Sequence, residues 1–146
     1  MRRLAVIAAF ALAGCGPSPK PDDRIVLWEQ PSPEIAARAH AIEIDGFSGR
    51  VMSESMVPLM AVGDWVTADL KFPYDKLQPG DVAIQQARWL PKDSPWLAHY
   101  CAAKLGDEWI TKGLNNHAHE RDQSQRMGRE EYRGKVVQVY TTRKKT

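Results

Sequence analysis

The sequence predicts a mainly β domain with at most one or two short helices. Its 146 residues are enough for one hydrophobic core, and several short segments alternate apolar and polar residues as half-buried strands do. Glycine and proline separate these segments; Pro79-Gly80, for example, immediately precedes an apolar run. The predicted strands are residues 24–30, 42–45, 65–70, 81–85, 97–103, 108–111 and 135–142.

One short helix is predicted for residues 34–41, directly after Pro31-Ser32-Pro33. Alanine and isoleucine recur there at helical spacing, and Glu34 lies in the first turn. The many tryptophans are explained as residues that fill the core and its rim.

The amino-terminal segment has the features of an export signal. A positive start, Met1-Arg2-Arg3, precedes an apolar run over residues 4–13, which is shorter than the roughly 20 residues that cross a bilayer as a helix. The ending Leu12-Ala13-Gly14-Cys15 resembles the bacterial lipobox, and this resemblance implies that Cys15 is lipidated and becomes the first mature residue. An ordinary secretory signal with an incidental cysteine is the alternative.

These features predict a lipoprotein of the bacterial cell envelope, anchored to a membrane and facing the periplasm or the exterior. The expected organisation is a signal peptide over residues 1–14, a lipidated cysteine and proline-rich tether with a short strand over residues 15–33, and a β domain over residues 34–146.

Composition and short motifs exclude several other classes. Charges of both signs give a net charge of +2, without the basic field that nucleic-acid binding requires. There is no P-loop, no dinucleotide fingerprint and no internal repeat, so no cofactor is expected. We interpret the cluster His117-Ala118-His119-Glu120 with Asp122 as a solvated loop, and expect no metal site.

The stretch 51–59, Val-Met-Ser-Glu-Ser-Met-Val-Pro-Leu, is the candidate site. Pro58 prevents a helix from continuing through the serines, so Ser55 is expected on a short, stiff turn at a strand end. A serine held in this way is accessible for nucleophilic attack. The alternative is an ordinary solvated loop serine.

The order of motifs resembles the serine proteases of the type I signal peptidase and SOS-repressor group. The motifs, over roughly residues 48 to 141, are Ser53-x-Ser55-Met56-x-Pro58, Gly63-Asp64, Pro79-Gly80-Asp81-Val82, His99-Tyr100, Thr111-Lys112-Gly113-Leu114-Asn115-Asn116 and Gly134-Lys135-Val136-Val137. The resemblance implies a signal-peptidase-like β fold and a serine endopeptidase that cleaves exported or membrane-associated protein precursors through an acyl-enzyme.

The resemblance also implies catalytic roles. Ser55 would be the nucleophile, and His99 lies where the endoplasmic-reticulum branch of the family has its histidine base. A histidine needs little tuning of its pKa to act as a base, whereas a lysine must be strongly desolvated. Lys104, the alternative base of the bacterial type, adjoins a predicted hairpin turn and is expected to point to water.

Other residues complete or weaken this assignment. By resemblance, the Ser53 hydroxyl and the Ser55 backbone N–H would form the oxyanion hole. Leu114 replaces the family's aspartate, so Asp122 or Glu120 would have to orient the histidine. Without such a carboxylate the site is a Ser-His dyad or is inactive.

Three alternatives therefore stay open. Cys101 lies on the same strand face as His99, and is either a nucleophile or a small buried residue. The chain is either an active peptidase or an inactive peptidase-fold lipoprotein with a binding or structural role. An active enzyme could also be a specialist processing peptidase of a secretion or conjugation system.

Overall fold

The protein is built around one eight-stranded sheet. The computed structural model describes residues 19–115 and 124–146. The strand order is β2-β3-β8-β4-β5-β6-β7, with β1 attached to β8. All pairings are antiparallel except the parallel pairing of β1 with β8. The strands are β1 (Val26–Leu27), β2 (Phe47–Arg50), β3 (Trp65–Asp69), β4 (Val82–Gln85), β5 (Leu97–Leu105), β6 (Glu108–Lys112), β7 (Gln125–Met127) and β8 (Tyr132–Tyr140).

One α-helix, α1 (Pro33–Glu43), accompanies the sheet in the described part of the chain, together with two 3-10 turns, Asp23–Ile25 and Tyr74–Lys76. The prediction of a mainly β protein with few short helices is confirmed. Within residues 19–115 and 124–146, no helix has the length and apolar character needed to cross a bilayer.

Helix α1 is longer than predicted, and the predicted strand over residues 42–45 is wrong. Pro33 occupies the first turn, where its missing N–H costs no hydrogen bond. The helix continues through Ile42 and ends where Asp45 adopts a left-handed φ of 51° and the Gly46 N–H donates to the Ala41 carbonyl at 2.8 Å. Four alternating residues fit a strand and a helix end equally well, so periodicity alone did not separate them.

Two apolar clusters pack on the two sides of the central strands. The main core is formed by Val26, Met56, Leu59, Met60, Val66, Ala68, Val82, Ile84, Tyr100, Ala102, Val136 and Val139. The second core is formed by Tyr74, Leu77, Ala83, Cys101, Trp109 and Met127. Successive residues of a strand point to opposite sides of the sheet, so β4 and β5 contribute to both clusters.

The sheet also includes part of the segment that we assigned to the tether. Val26 pairs with Val139 of β8 and is buried in the main core. The folded domain therefore begins before residue 34.

Candidate functional site

The serine loop, residues 51–64, connects β2 to β3 and carries both candidate serines. It is closed at its base by two backbone hydrogen bonds, from the Val51 N–H to the Asp64 carbonyl at 2.8 Å and from the Gly63 N–H to the Val51 carbonyl at 3.0 Å. Gly63 has a φ of 94°, a conformation that glycine adopts without strain. The loop is anchored by three side chains in the main core: Met56, Leu59 and Met60.

Ser55 lies within the loop beside a second hydroxyl. The Oγ atoms of Ser53 and Ser55 are 3.2 Å apart, with Ser55 buried and Ser53 exposed. None of the described residues accepts a hydrogen bond from the Ser55 backbone N–H. Glu54 is solvent-exposed, so solvent screens its charge. The loop thus presents one hydroxyl and one backbone N–H beside the Ser55 oxygen.

The segment after β6 contacts the same loop. The Asn115 N–H donates to the Ser55 carbonyl at 2.9 Å, and its side-chain amide donates to the Glu54 carbonyl at 3.3 Å. Leu114, at the position where the resemblance to signal peptidases would place an aspartate, packs against the main core. The Thr111–Asn115 motif therefore adjoins the serine motif through backbone contacts, with an apolar side chain at position 114.

A largely apolar groove opens next to Ser55, with a volume of about 660 Å³. Ile84 and Ala98 of the sheet line it, together with Met56 of the serine loop. At its rim the rings of Phe47 and Trp96 lie 5.3 Å apart, centroid to centroid. A groove of this size and apolar character suits a segment of a peptide or a small ligand.

Two strand edges flank this groove. β2 pairs with β3 on one side only, and the β5–β6 pairing begins at Tyr100, so residues 97–99 have β4 as their one partner strand among the described residues. A strand edge without a partner strand can accept an extended peptide by backbone hydrogen bonds.

His99 lies on the opposite side of β5 from the groove. Its cross-strand partner is Ala83 and its neighbour along that face is Cys101, both in the second core. His99 is 4% exposed, and none of the described residues forms a hydrogen bond with its Nδ1. The imidazole makes no hydrogen bond with Ser55. Burial lowers the His99 pKa from 6.5 to about 4, so the ring is neutral at pH 7.

Gln85 and Thr111 lie on the same side of the sheet as His99. The Gln85 side-chain amide donates to the Thr111 hydroxyl at 2.9 Å, while the buried Gln85 Oε1 has no partner within residues 19–115 and 124–146. Our sequence reasoning did not identify Gln85, although its place in an alternating strand assigns it to the face of Ala83.

Cys101 belongs to the second core, whereas Lys104 is exposed and lies against two of the aromatic rings of that core. The Lys104 ammonium lies 4.7 Å and 4.9 Å from the ring centroids of Tyr74 and Trp109. Cys101 is fully buried, and burial, with a smaller contribution from Asp81, raises its thiol pKa to about 12. A thiol of this pKa is protonated at pH 7 and is a poor nucleophile, so Cys101 is a packing residue.

Several predicted site residues lie outside the described residues: Cys15, His117, His119, Glu120 and Asp122. In the described part of the chain, no three histidine, cysteine, aspartate or glutamate side chains are grouped as a metal site.

Comparison of the chain with protein-family models, with curated proteins and with solved structures finds no match. The groove and the residues around Ser55 are therefore the features from which a function can be inferred.

Proposed function

We propose that this protein is a serine endopeptidase of the signal-peptidase type that cleaves exported or membrane-associated protein precursors. The observation that carries the proposal is the position of Ser55 at an apolar groove, 3.2 Å from a second hydroxyl and with its own N–H available. These are the parts that acyl transfer needs: a held nucleophile, donors for a developing oxyanion and a binding groove.

In the proposed reaction, the Ser55 hydroxyl attacks the scissile carbonyl and transfers its proton to the base. The Ser53 hydroxyl and the Ser55 N–H stabilise the negative charge on the carbonyl oxygen. The base then protonates the leaving amine, which leaves an ester on Ser55. Water hydrolyses this ester by the same steps and releases the second product.

We assign the base to His99, which is neutral at pH 7 and therefore able to accept a proton. Because His99 lies in the second core, on the far side of β5 from Ser55, this role requires a change in the backbone of β5 and not a movement of the imidazole alone.

The substrate is proposed to bind as an extended segment. Its backbone would pair with the free edge of β2 or of residues 97–99, and its apolar side chains would enter the groove lined by Ile84 and Ala98. The membrane anchor that we infer for Cys15 would keep this groove near membrane-associated precursors.

The decisive experiment is cleavage of a panel of exported precursor proteins by the full chain in membranes. Ser55→Ala, His99→Ala and Lys104→Ala are compared with wild type, and the amino-terminal masses of the products are measured. We expect products to disappear with the first two variants and to persist with Lys104→Ala. Loss of the products with Lys104→Ala but not with His99→Ala would assign the base to Lys104.

A second candidate is a peptidase-fold lipoprotein without activity that binds peptide segments in the same groove. It is favoured by the buried, neutral His99 on the far side of β5 and by the apolar Leu114. Two results together would support it. The wild type would bind an extended peptide without cleaving it, and Ser55→Ala would bind the same peptide with unchanged affinity. Cleavage of one precursor alone would instead indicate a specialist processing peptidase of a secretion or conjugation system.

The anchor is tested separately by metabolic labelling with palmitate in a bacterial host. We expect label on the wild-type chain and none on Cys15→Ser. An unlabelled wild-type chain that is exported would indicate an ordinary secretory signal.

A further inference from the structure

Arg143, which follows β8, contacts the serine loop directly. Its Nη1 donates to the Pro58 carbonyl at 3.0 Å and its Nη2 to the Leu59 carbonyl at 3.3 Å. These carbonyls lie three and four residues after Ser55. We propose that Arg143 is a positioning residue that holds the serine loop in its reactive shape. The inference rests on the function proposed for Ser55.

The carboxylate of Asp64 extends this contact to the end of the loop. Its Oδ2 accepts from Arg143 Nη2 at 2.7 Å and from the Ala61 backbone N–H at 2.9 Å. The Asp64 side chain is 6% exposed, so solvent screens the ion pair only weakly. One buried carboxylate thus joins the second half of the loop to the carboxyl-terminal segment.

Arg143 is itself held in place by contacts outside the serine loop. Its Nε donates to the Thr141 hydroxyl at 3.0 Å, and its guanidinium carbon lies 5.1 Å from the ring centroid of Trp28. Its carbonyl accepts from the Glu29 N–H at 2.9 Å. With Nε, Nη1 and Nη2 all directed at separate acceptors, the planar guanidinium has one orientation that a lysine ammonium cannot reproduce.

These contacts bear on catalysis through the backbone of the loop. Asn115 holds the carbonyl of Ser55, and Arg143 holds the carbonyls of Pro58 and Leu59. The Ser55 N–H that would face the oxyanion lies on the same turn. Small displacements of such a donor reduce the rate strongly, since a shift of about 1 Å can cost about 100-fold.

The test compares Arg143→Gln and Arg143→Lys with Arg129→Gln in the full chain. Arg129 is a matched control because it too forms ion pairs, with Asp75 and Asp107, and lies over an aromatic ring, Tyr74, in the second core. Two quantities are measured: hydrogen exchange of the loop amides at residues 55–61, and kcat and KM for cleavage of a precursor.

For Arg143→Gln we expect loop amides that exchange at least about tenfold faster while the amides of β4 and β5 keep their rates. We expect kcat to fall about 10- to 100-fold with KM within about twofold, and no rescue by lysine. Arg129→Gln should change neither quantity. A merely stabilising arginine would leave kcat unchanged in the folded variant.

Loop amides that exchange at the wild-type rate in Arg143→Gln would overturn the inference, whatever the activity. A loosened loop with unchanged kcat, or full rescue by Arg143→Lys, would also overturn it. A wild-type chain that cleaves no precursor would overturn the proposed function instead, whereas faster loop exchange in Arg143→Gln would still support the contact between Arg143 and the loop.

Discussion

The backbone N–H of Asn115 donates to the carbonyl of Ser55 at 2.9 Å. This hydrogen bond joins the segment after β6 to the loop between β2 and β3, which are distant in the sequence. It brings the two most informative sequence motifs together at one edge of the groove.

Ser53→Ala should lower kcat about 100-fold and leave KM nearly unchanged, because an oxyanion-hole donor acts only when charge develops on the carbonyl oxygen. The Oγ–Oγ distance of 3.2 Å between Ser53 and Ser55 allows the second hydroxyl to reach the reacting centre. Steady-state cleavage kinetics provide the measurement. Ser53→Thr, which retains the hydroxyl, serves as the control, and an equal loss in that variant would contradict the role.

Ala98→Phe should lower kcat/KM for cleavage about tenfold or more, because the ring would occupy the groove that the substrate enters. The free energy of unfolding should change little, since the groove has room for the ring. Ala103→Phe is the matched control because Ala103 is exposed on the same strand. Cleavage that is equally fast in both variants would exclude this groove as the substrate site.

The free energy of unfolding should fall as pH decreases from 6.5 to about 4. In this window the unfolded state binds a proton at His99 and the folded state does not, because burial lowers the folded pKa to about 4. The neutral state of His99 therefore contributes about 3 kcal/mol to the free energy of unfolding above pH 6.5, and this contribution is lost by about pH 4.

Urea unfolding of wild type and His99→Gln over this pH range measures the effect. The variant should show a shallower dependence of the unfolding free energy on pH. An equally steep dependence in His99→Gln would mean that another group carries the titration.

Leu114→Asp should not restore the acidic residue of the signal-peptidase family but should destabilise the fold by about 2 to 4 kcal/mol. Leu114 is partly buried and packs against the main core, where an ionised carboxylate loses part of its hydration. Leu114→Asn is the uncharged control and should be less destabilised at pH 7. Increased cleavage in Leu114→Asp would show that the carboxylate reaches the histidine after all.

Much of the fold follows from local sequence patterns. The alternation over residues 65–70 and 81–85 corresponds to β3 and β4, and glycine and proline mark the turns between them. A strand end was expected before the serine loop, but the extent of β2 was not predicted because its sequence, Phe-Ser-Gly-Arg, has a glycine and one large apolar residue. β7 was missed because it is three residues long, with polar residues at two of them.

The candidate site was predicted less completely. The serine motif indicated a held turn with two hydroxyls, and the hydrogen bond between Asn115 and Ser55 agrees with the grouping of motifs. No local sequence pattern identifies the contact between Arg143 and Asp64, because 79 positions separate them in the sequence. They meet only because β8 ends beside the serine loop. The side of β5 on which His99 lies depends on strand register. A shift of the register by one residue would move His99 to the opposite side of the sheet.

The sequence by itself determined the β-rich class, the turn character of the serine loop and the chemical groups available for a reaction. These depend on neighbouring residues, whose side-chain periodicity and backbone preferences act locally. The tertiary structure alone decided that Ala98 lines the groove and His99 does not, and that Arg143 supports the loop. Such relationships arise from the register and packing of strands that are remote in sequence, and no local preference encodes them.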